Sequence, residues 1–287
     1  MIPGSFEYHR PDSVDGAVAL LNEHGDEARL LAGGHSLIPM MKLRMAVPSH
    51  IVDLQAIESL HGISEEGGEI VIGALTTQHE VLASALLAGK CPILPEAAAL
   101  IADPQVRYCG TIGGNVANGD PGNDMPAIMQ ALGATYRAVG PNGSRDIAAR
   151  DYYEAAYFTA LEENEVLTQI RIPTPAAGHG AAYEKQKRKI GDYATAAAAV
   201  ILTMDGGRCS SASIALTNVA ATPLYAEAAA AALVGTDLGE AAVDTAVRLA
   251  EEITEPTSDG RGPADFRTHV AGVMVRRAIA RAQKNAG

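Results

Sequence analysis

Apolar residues at Val14, Ala17, Val18 and Leu21 fall three and four apart, which puts one apolar stripe on a helix over Val14–His24. Ser13 stands where an N-cap belongs and Gly25 where the helix should stop. Before it, residues 6–11 read as extended. After it, Ala28–Ala32 reads as a short buried strand that runs straight into Gly33-Gly34. A helix follows over 36–43, with Pro39 in its first turn, where proline is tolerated. His50–Leu54 and Glu69–Ala74 read as strands, with a turn at 65–68 between them. Thr76-Thr77 should start a helix over Gln78–Leu87, and Leu94–Ala102 should form another, ended by Asp103-Pro104.

Further along, 135–139 and 145–148 flank Pro141-Asn142-Gly143-Ser144 and read as a hairpin. Leu167–Pro173 alternates, with Ile170 and Ile172 against Gln169 and Arg171, as a half-buried strand does. The run Pro173-Thr174-Pro175-Ala176-Ala177-Gly178 is the best linker in the chain, and a domain boundary is placed there, dividing residues 1–177 from 178–287. Beyond it, 181–185 reads as a strand. A second hairpin forms from 193–203 and 209–217, and helices are expected over 224–233, 240–252 and 264–284. Together these elements imply an α+β chain whose C-terminal part is a small antiparallel sheet followed by helices.

Glycine changes the picture at two places. The stretch from Thr111 to Asp124 holds four glycines, three asparagines and two aspartates, and is not written like the interior of a helix or strand. The other is Ala32-Gly33-Gly34-His35-Ser36. Glycine clusters mark positive φ or close approach of the backbone. A strand, a glycine pair and a helix start together make an anion site, because unpaired amides there carry partial positive charge. A plain tight turn is the competing reading of each pair taken singly. Neither pair sits in a P-loop or a Gly-x-Gly-x-x-Gly turn. Two separate amide nests would suit a pyrophosphate held from both sides. Asp124 precedes Met125-Pro126, so it is either a helix N-cap or an acceptor for ligand hydroxyls.

Charge and composition narrow the options. The net charge of −12 argues against nucleic acid or an anionic membrane as a general partner. Three cysteines, Cys91, Cys109 and Cys209, are too few for a four-thiolate metal or iron–sulfur site and suit a reducing cytosol. No secretory leader is read at Met1-Ile2-Pro3-Gly4, and no apolar run is long enough to span a bilayer. No nucleophile–base pair or clustered metal ligands stand out. The chemistry is therefore expected to reside in a bound redox cofactor. The basic run Gln186-Lys187-Arg188-Lys189 reads either as a solvated strand end or as a ligand cap or docking patch. Tyr193, taken alone, is more often core than cofactor contact.

The paired motifs Ala32-Gly33-Gly34-His35-Ser36 and Thr111-Ile112-Gly113-Gly114-Asn115 resemble the FAD-binding medium subunits of molybdenum hydroxylases, and among these the carbon monoxide dehydrogenase branch. The likeness continues through Met1-Ile2-Pro3, Val71-Ile72-Gly73-Ala74, Ile101-Ala102-Asp103-Pro104-Gln105, the segment 118–124, Tyr183-Glu184-Lys185 and Ile190-Gly191-Asp192-Tyr193. It implies the two-subdomain FAD-binding fold of the vanillyl-alcohol oxidase and xanthine dehydrogenase type, with a break near residues 55–60. Ala32, Gly33, Gly34, His35 and Ser36 would hold the FAD pyrophosphate together with Thr111, Gly113, Gly114 and Asn115, and Leu37, Gly110 and Ala117 would also contact the cofactor. Asp124 would meet the ribityl or nearby hydroxyls, with Asn123 a further cofactor contact. Ile101 and Leu167 would line the ring pockets, Ala102 would also contact the cofactor, and Lys185, Asp192 and Tyr193 would border the isoalloxazine. No catalytic residue is implied. His35 would be a contact, with FAD held non-covalently.

The resemblance also implies a small [2Fe-2S] subunit and a large molybdenum subunit, assembled as a dimer of heterotrimers. Carbon monoxide and water would react at the large subunit, and electrons would reach FAD here and leave to a quinone or similar acceptor. The assembly would be cytoplasmic, or at the inner face of the cytoplasmic membrane. Other readings are a medium subunit serving a xanthine- or aldehyde-type substrate, a free-standing flavin oxidoreductase, and a non-catalytic nucleotide-binding or assembly module.

Overall fold

The Ser13 hydroxyl accepts from the Gly16 amide at 3.2 Å, so the first helix starts where its apolar stripe begins. The structure is a computed structural model that describes residues 2–286; Met1 and Gly287 lie outside the described residues. β1 (Glu7–His9), α1 (Val14–His24), β2 (Ala28–Leu31), α2 (Leu37–Lys42) and β3 (His50–Asp53) form a first unit. Its three strands are all parallel, in the order β1-β3-β2. Ala17, Val18 and Leu21 of α1 pack with Ala28 and Val52 in a small core of their own.

The second unit opens with the hairpin β4 (Ile63–Glu66) and β5 (Glu69–Gly73). The segment 65–68, read from sequence as turn alone, is thus partly strand, and only Gly67 and Gly68, both at positive φ, make the turn. A helical layer follows: α3 (Gln78–Ala83), α4 (Ala85–Lys90), α5 (Ile93–Leu100), α6 (Pro104–Cys109), α7 (Ile112–Ala117) and α8 (Met125–Leu132). Two corrections arise here. The single helix expected over Gln78–Leu87 breaks at Ser84, whose extended backbone and side-chain bond to the Leu87 amide start a new helix. The glycine stretch from 111 is not all loop, because Ile112–Ala117 is a helix capped by the Thr111 hydroxyl on the Gly114 amide at 3.0 Å.

The sheet is completed by β6 (Thr135–Gly140), β7 (Gly143–Ala148) and β10 (Val166–Pro173), with a separate small hairpin of β8 (Tyr153–Ala155) and β9 (Phe158–Thr159) between them. The order is β4-β5-β10-β6-β7, antiparallel throughout. Ile170 and Ile172 of β10 are fully buried beneath the helices, as the alternation requires.

After the linker, β11 (Gly180–Gln186), β12 (Ala196–Asp205), β13 (Arg208–Thr217) and β14 (Leu224–Tyr225) form an antiparallel sheet in chain order. The helix expected over 224–233 is shorter, because Leu224-Tyr225 pairs as a strand and α9 covers only Glu227–Ala231. α10 (Glu240–Glu252) and α11 (Ala264–Asn285) follow. The first half of β12 is buried on both faces. Ala197 and Ala199 join the core of the second unit, while Ala196, Ala198 and Val200 join the core beneath α11. The chain is α+β, with one parallel and two larger antiparallel sheets.

Candidate functional site

The two glycine segments meet backbone to backbone. A Cβ on Gly33 would overlap the Cys109 carbonyl and lie 2.8 Å from the Gly110 Cα. Only glycine permits that approach. Gly34 sits at φ +73. The His35 ring turns back on its own loop, donating from Nδ1 to the Gly33 carbonyl at 2.8 Å, and so braces the turn. Ala32 and Leu37 bracket the loop, half-buried.

The amide inventory differs between the two segments. In the helix start at 112, every amide is spent: Ile112 on Thr76, Gly113 on Ala74, Gly114 on the Thr111 hydroxyl, and Asn115 on the Thr111 carbonyl. Gly113 is a packing glycine, since its Cβ would stand 2.5 Å from the Ala74 carbonyl oxygen. Among the described residues, the amides of Gly33, Gly34, His35 and Ser36 have no acceptor. The run of amides without acceptors thus lies in the first loop, and the second segment packs beneath it. Four amides without acceptors in a half-exposed glycine turn fit an anionic pyrophosphate, which needs donors and little else.

A second group is tied to the first through Asn115 and Asn123. The Asn123 side chain donates to the Asn115 carbonyl at 2.7 Å, and the Asn115 side chain accepts from the Met125 amide at 3.3 Å. These bonds set α7 against the start of α8, with Ala117 half-buried at the end of α7. Asp124, at the N-cap position of α8, makes no capping bond with its side chain. Its carboxylate instead accepts from the Tyr183 hydroxyl at 2.6 Å and from Lys185 Nζ at 2.7 Å. Both side chains of the ion pair are almost wholly buried, at 2% exposure for Lys185 and 6% for Asp124. Burial pushes the Asp124 carboxyl above its ordinary value, and the Lys185 charge and the Tyr183 hydroxyl oppose that rise.

Lys185 also donates to the Leu100 carbonyl at 3.4 Å, so the ion pair holds the end of α5. There Ile101 is buried and Ala102 adopts φ +44, a left-handed conformation uncommon for alanine. Arg107 stabilises that bend by donating to the Ile101 and Ala102 carbonyls at 2.8 and 3.3 Å. Gly191 packs on the bend, its Cβ position 3.1 Å from the Ala102 oxygen. Asp192 accepts from the Tyr193 amide at 2.9 Å and from Arg188 at 3.3 Å. Tyr193 lies along Gly122, donates to Asp120 at 3.2 Å and has the Arg261 guanidinium 5.6 Å from its ring centre. Burial and the Asp120 charge push its hydroxyl well above the ordinary tyrosine range. Leu167 is buried in β10 within the core that also holds Ile101 and Ile112.

Sequence reasoning missed several supports. Arg107, Asp120, Tyr183 and Arg261 were not singled out as site residues. The one local signal was Asp103-Pro104 ahead of Arg107, which announces a helix start and so brings Arg107 back over the preceding bend.

Residues 4–175 match the model of the FAD-binding domain in molybdopterin dehydrogenases, and residues 181–282 match the CO dehydrogenase flavoprotein C-terminal domain. The chain belongs to this family of FAD-binding molybdopterin dehydrogenase chains. It is 66% identical over 286 residues to the carbon monoxide dehydrogenase medium chain of Afipia carboxidovorans, covering 100% of this chain and 99% of that one. It is 51% identical over 279 residues to the corresponding chain of Hydrogenophaga pseudoflava, covering 97% of each. A chain of the solved Cu,Mo-CO dehydrogenase in its cyanide-inactivated form superposes with a TM-score of 0.99 at 66% identity, covering 100% of both.

Proposed function

We infer that this chain is the FAD-carrying, electron-transferring medium subunit of a carbon monoxide dehydrogenase. The observation that carries the reading is the end-to-end 66% match to such a medium chain. FAD, when bound, supplies an acceptor that takes up and passes on electrons singly or in pairs. The chain's own residues bind and orient it. The amides of Gly33, Gly34, His35 and Ser36 hold the pyrophosphate, on a floor built from Gly110, Thr111, Gly113 and Gly114. Asp124, fixed by Lys185, faces the ribityl or nearby hydroxyls. Ile101, Ala102 and Leu167 border the rings, and Asp192 and Tyr193 close one side from the C-terminal part. FAD is held without a covalent bond, His35 serving to brace the loop.

The division at 177/178, and the break near 55–60 between the first two units, belong to the same proposal. So do the partners. Three cysteines cannot ligate an iron–sulfur cluster of four thiolates. By the likeness to carbon monoxide dehydrogenase medium chains, the [2Fe-2S] centres are assigned to a small subunit and the molybdenum site, with carbon monoxide oxidation, to a large one. The whole is a dimer of heterotrimers that delivers electrons to a quinone-type acceptor. We place it in the cytoplasm or at the inner membrane face; among the described residues no helix is long and apolar enough to cross a membrane.

Native co-purification from the source cells, with metal and flavin analysis, tests this. The expected result is a small iron–sulfur chain, a large chain carrying molybdenum and copper, and one FAD per copy that acid precipitation releases to the supernatant. A lone yellow chain that turns over a small substrate unaided would make it a free-standing flavoenzyme. Molybdenum without copper would point to another hydroxylase substrate.

A further inference from the structure

Three histidines meet at the far end of the sheet that carries the glycine loop. β1 and β3 run parallel with Glu7 opposite His50 and His9 opposite Val52. Side chains alternate across a strand, so Glu7, His9 and His50 share one face. α1 ends over that face with His24. The His24 and His50 rings stack with centroids 3.7 Å apart and 5° between planes, and the His9 ring lies 5.2 Å from that of His24. His9 Nε2 and His50 Nδ1 are 3.1 Å apart, and one ring nitrogen of each histidine lies within 4.8 Å of the other two.

The cluster is only half-buried, and little else satisfies it. His9 and His50 share one N–H···N contact, whereas the His24 ring has no hydrogen-bond partner among the described residues. The Glu7 carboxylate approaches His50 Nδ1 at 3.7 Å from a side chain that is 75% exposed, so it is free to swing inward. Nitrogens around a four-coordinate zinc ion sit about 3.3 Å apart, given Zn–N distances near 2.0–2.1 Å. One pair here already has that spacing, and rotating the half-buried His24 ring off its stack brings in the third. Neutral imidazoles with one carboxylate or water are a donor set for a borderline divalent ion rather than for magnesium or calcium.

We propose that His9, His24 and His50 form a zinc-class divalent metal site, completed by Glu7 or water, that fastens the end of α1 to the β1–β3 pair. Glu7 and His50 lie where the parallel strands begin, and His9 two residues further along, level with Leu30. The glycine loop follows β2 where the strands end, roughly 10 Å from His50 at about 3.3 Å per residue. The metal is thus separate from the flavin site, and the proposal does not rest on the flavin reading.

The test uses the full chain without an added polyhistidine tag, stripped with chelator and titrated with Zn²⁺. About one tightly bound zinc per chain is expected, together with a rise in Tm that magnesium does not reproduce. Cobalt should give the intense visible bands of a four-coordinate site. His24→Gln decides the matter, because this half-exposed helix end tolerates the change. It should weaken zinc binding by about 100-fold or more while leaving the circular dichroism and the metal-free Tm unchanged. His9→Gln should do the same. Zinc that binds the His24→Gln chain as tightly as the parent would be adventitious, and that result, or the absence of a zinc-dependent Tm shift in the parent, overturns the proposal.

Discussion

Asp124 and Lys185 bring two charges out of water, and neither is tolerable without the other. Removing the cation alone leaves a buried carboxylate that must either stay charged and unpaired or take up a proton. Lys185→Met should therefore cost about 3–5 kcal/mol in urea unfolding. The double variant with Asp124→Asn should recover a substantial part, because the orphaned charge is gone. Equal losses in the single and double variants would show that packing, not charge, accounts for the cost. Gly33 makes the second residue-scale case. Gly33→Ala forces the loop off the Cys109 carbonyl, and flavin retention should fall about tenfold or more, equivalent to ~1.4 kcal/mol, as measured by flavin absorbance per chain after gel filtration. Asp124, Lys185 and Gly33 each stood out in the sequence as a candidate for cofactor contact. What was not legible was the pairing, since Asp124 and Lys185 stand 61 positions apart and no local pattern brings one to the other. The His9–His24–His50 cluster escaped notice for the same reason.

At the scale of elements, legibility followed local chemistry. α1 has a stripe, a cap and a stop, and it forms where they lie. The hairpin β6–β7 likewise sits around its Pro141-Asn142 turn. α7 shows the opposite case. Gly113 and Gly114 oppose a helix by propensity, yet the Thr111 cap and the close packing of Gly113 on Ala74 impose one. Tertiary contact decides there, and a single sequence cannot show it. Another contact of this kind carries a pH dependence. Arg145 on β7 grips Glu165 with two bonds of 2.7 and 2.8 Å, which pins the loop ahead of β10 and holds the Glu165 carboxyl below its ordinary value of 4.5. A depressed carboxylate pKa stabilises the fold above the unfolded value and ceases to do so as pH falls through the folded one. Arg145 is nearly half exposed, so solvent screening limits the effect to about 1 kcal/mol or less. Arg145→Met should lower Tm at neutral pH, and the gap from the parent should close as the pH drops below 4.5 towards the folded value. A gap that persists in acid would assign the loss to packing.

For the whole molecule, the joint between the second unit and the C-terminal sheet governs how the parts act together. Glu96 on α5 accepts from the Tyr183 amide at 2.9 Å and from Arg281 on α11 at 2.7 Å, and Arg281 also pairs with Glu184. One carboxylate thus ties together three elements drawn from both sides of the linker. Glu96→Ala should cost about 1–3 kcal/mol through the unpaired Tyr183 amide. It should also split urea unfolding into two transitions read by tyrosine fluorescence and circular dichroism, whereas the parent should show coincident curves. Coincident curves in the variant would mean that the shared core, rather than this joint, couples the two parts.

That shared core runs through β12, where alanines face two interiors at once and leave no side open to water. Most single-base changes in an alanine codon lead to valine, threonine, serine, glycine, proline, aspartate or glutamate, so the strand is offered extra bulk, a buried polar group or a broken ladder at almost every step. Its positions have little room to drift. In populations of this gene, synonymous change should accumulate along 196–199 while amino-acid change stays scarce, and a laboratory library screened for folded protein should return the same four alanines.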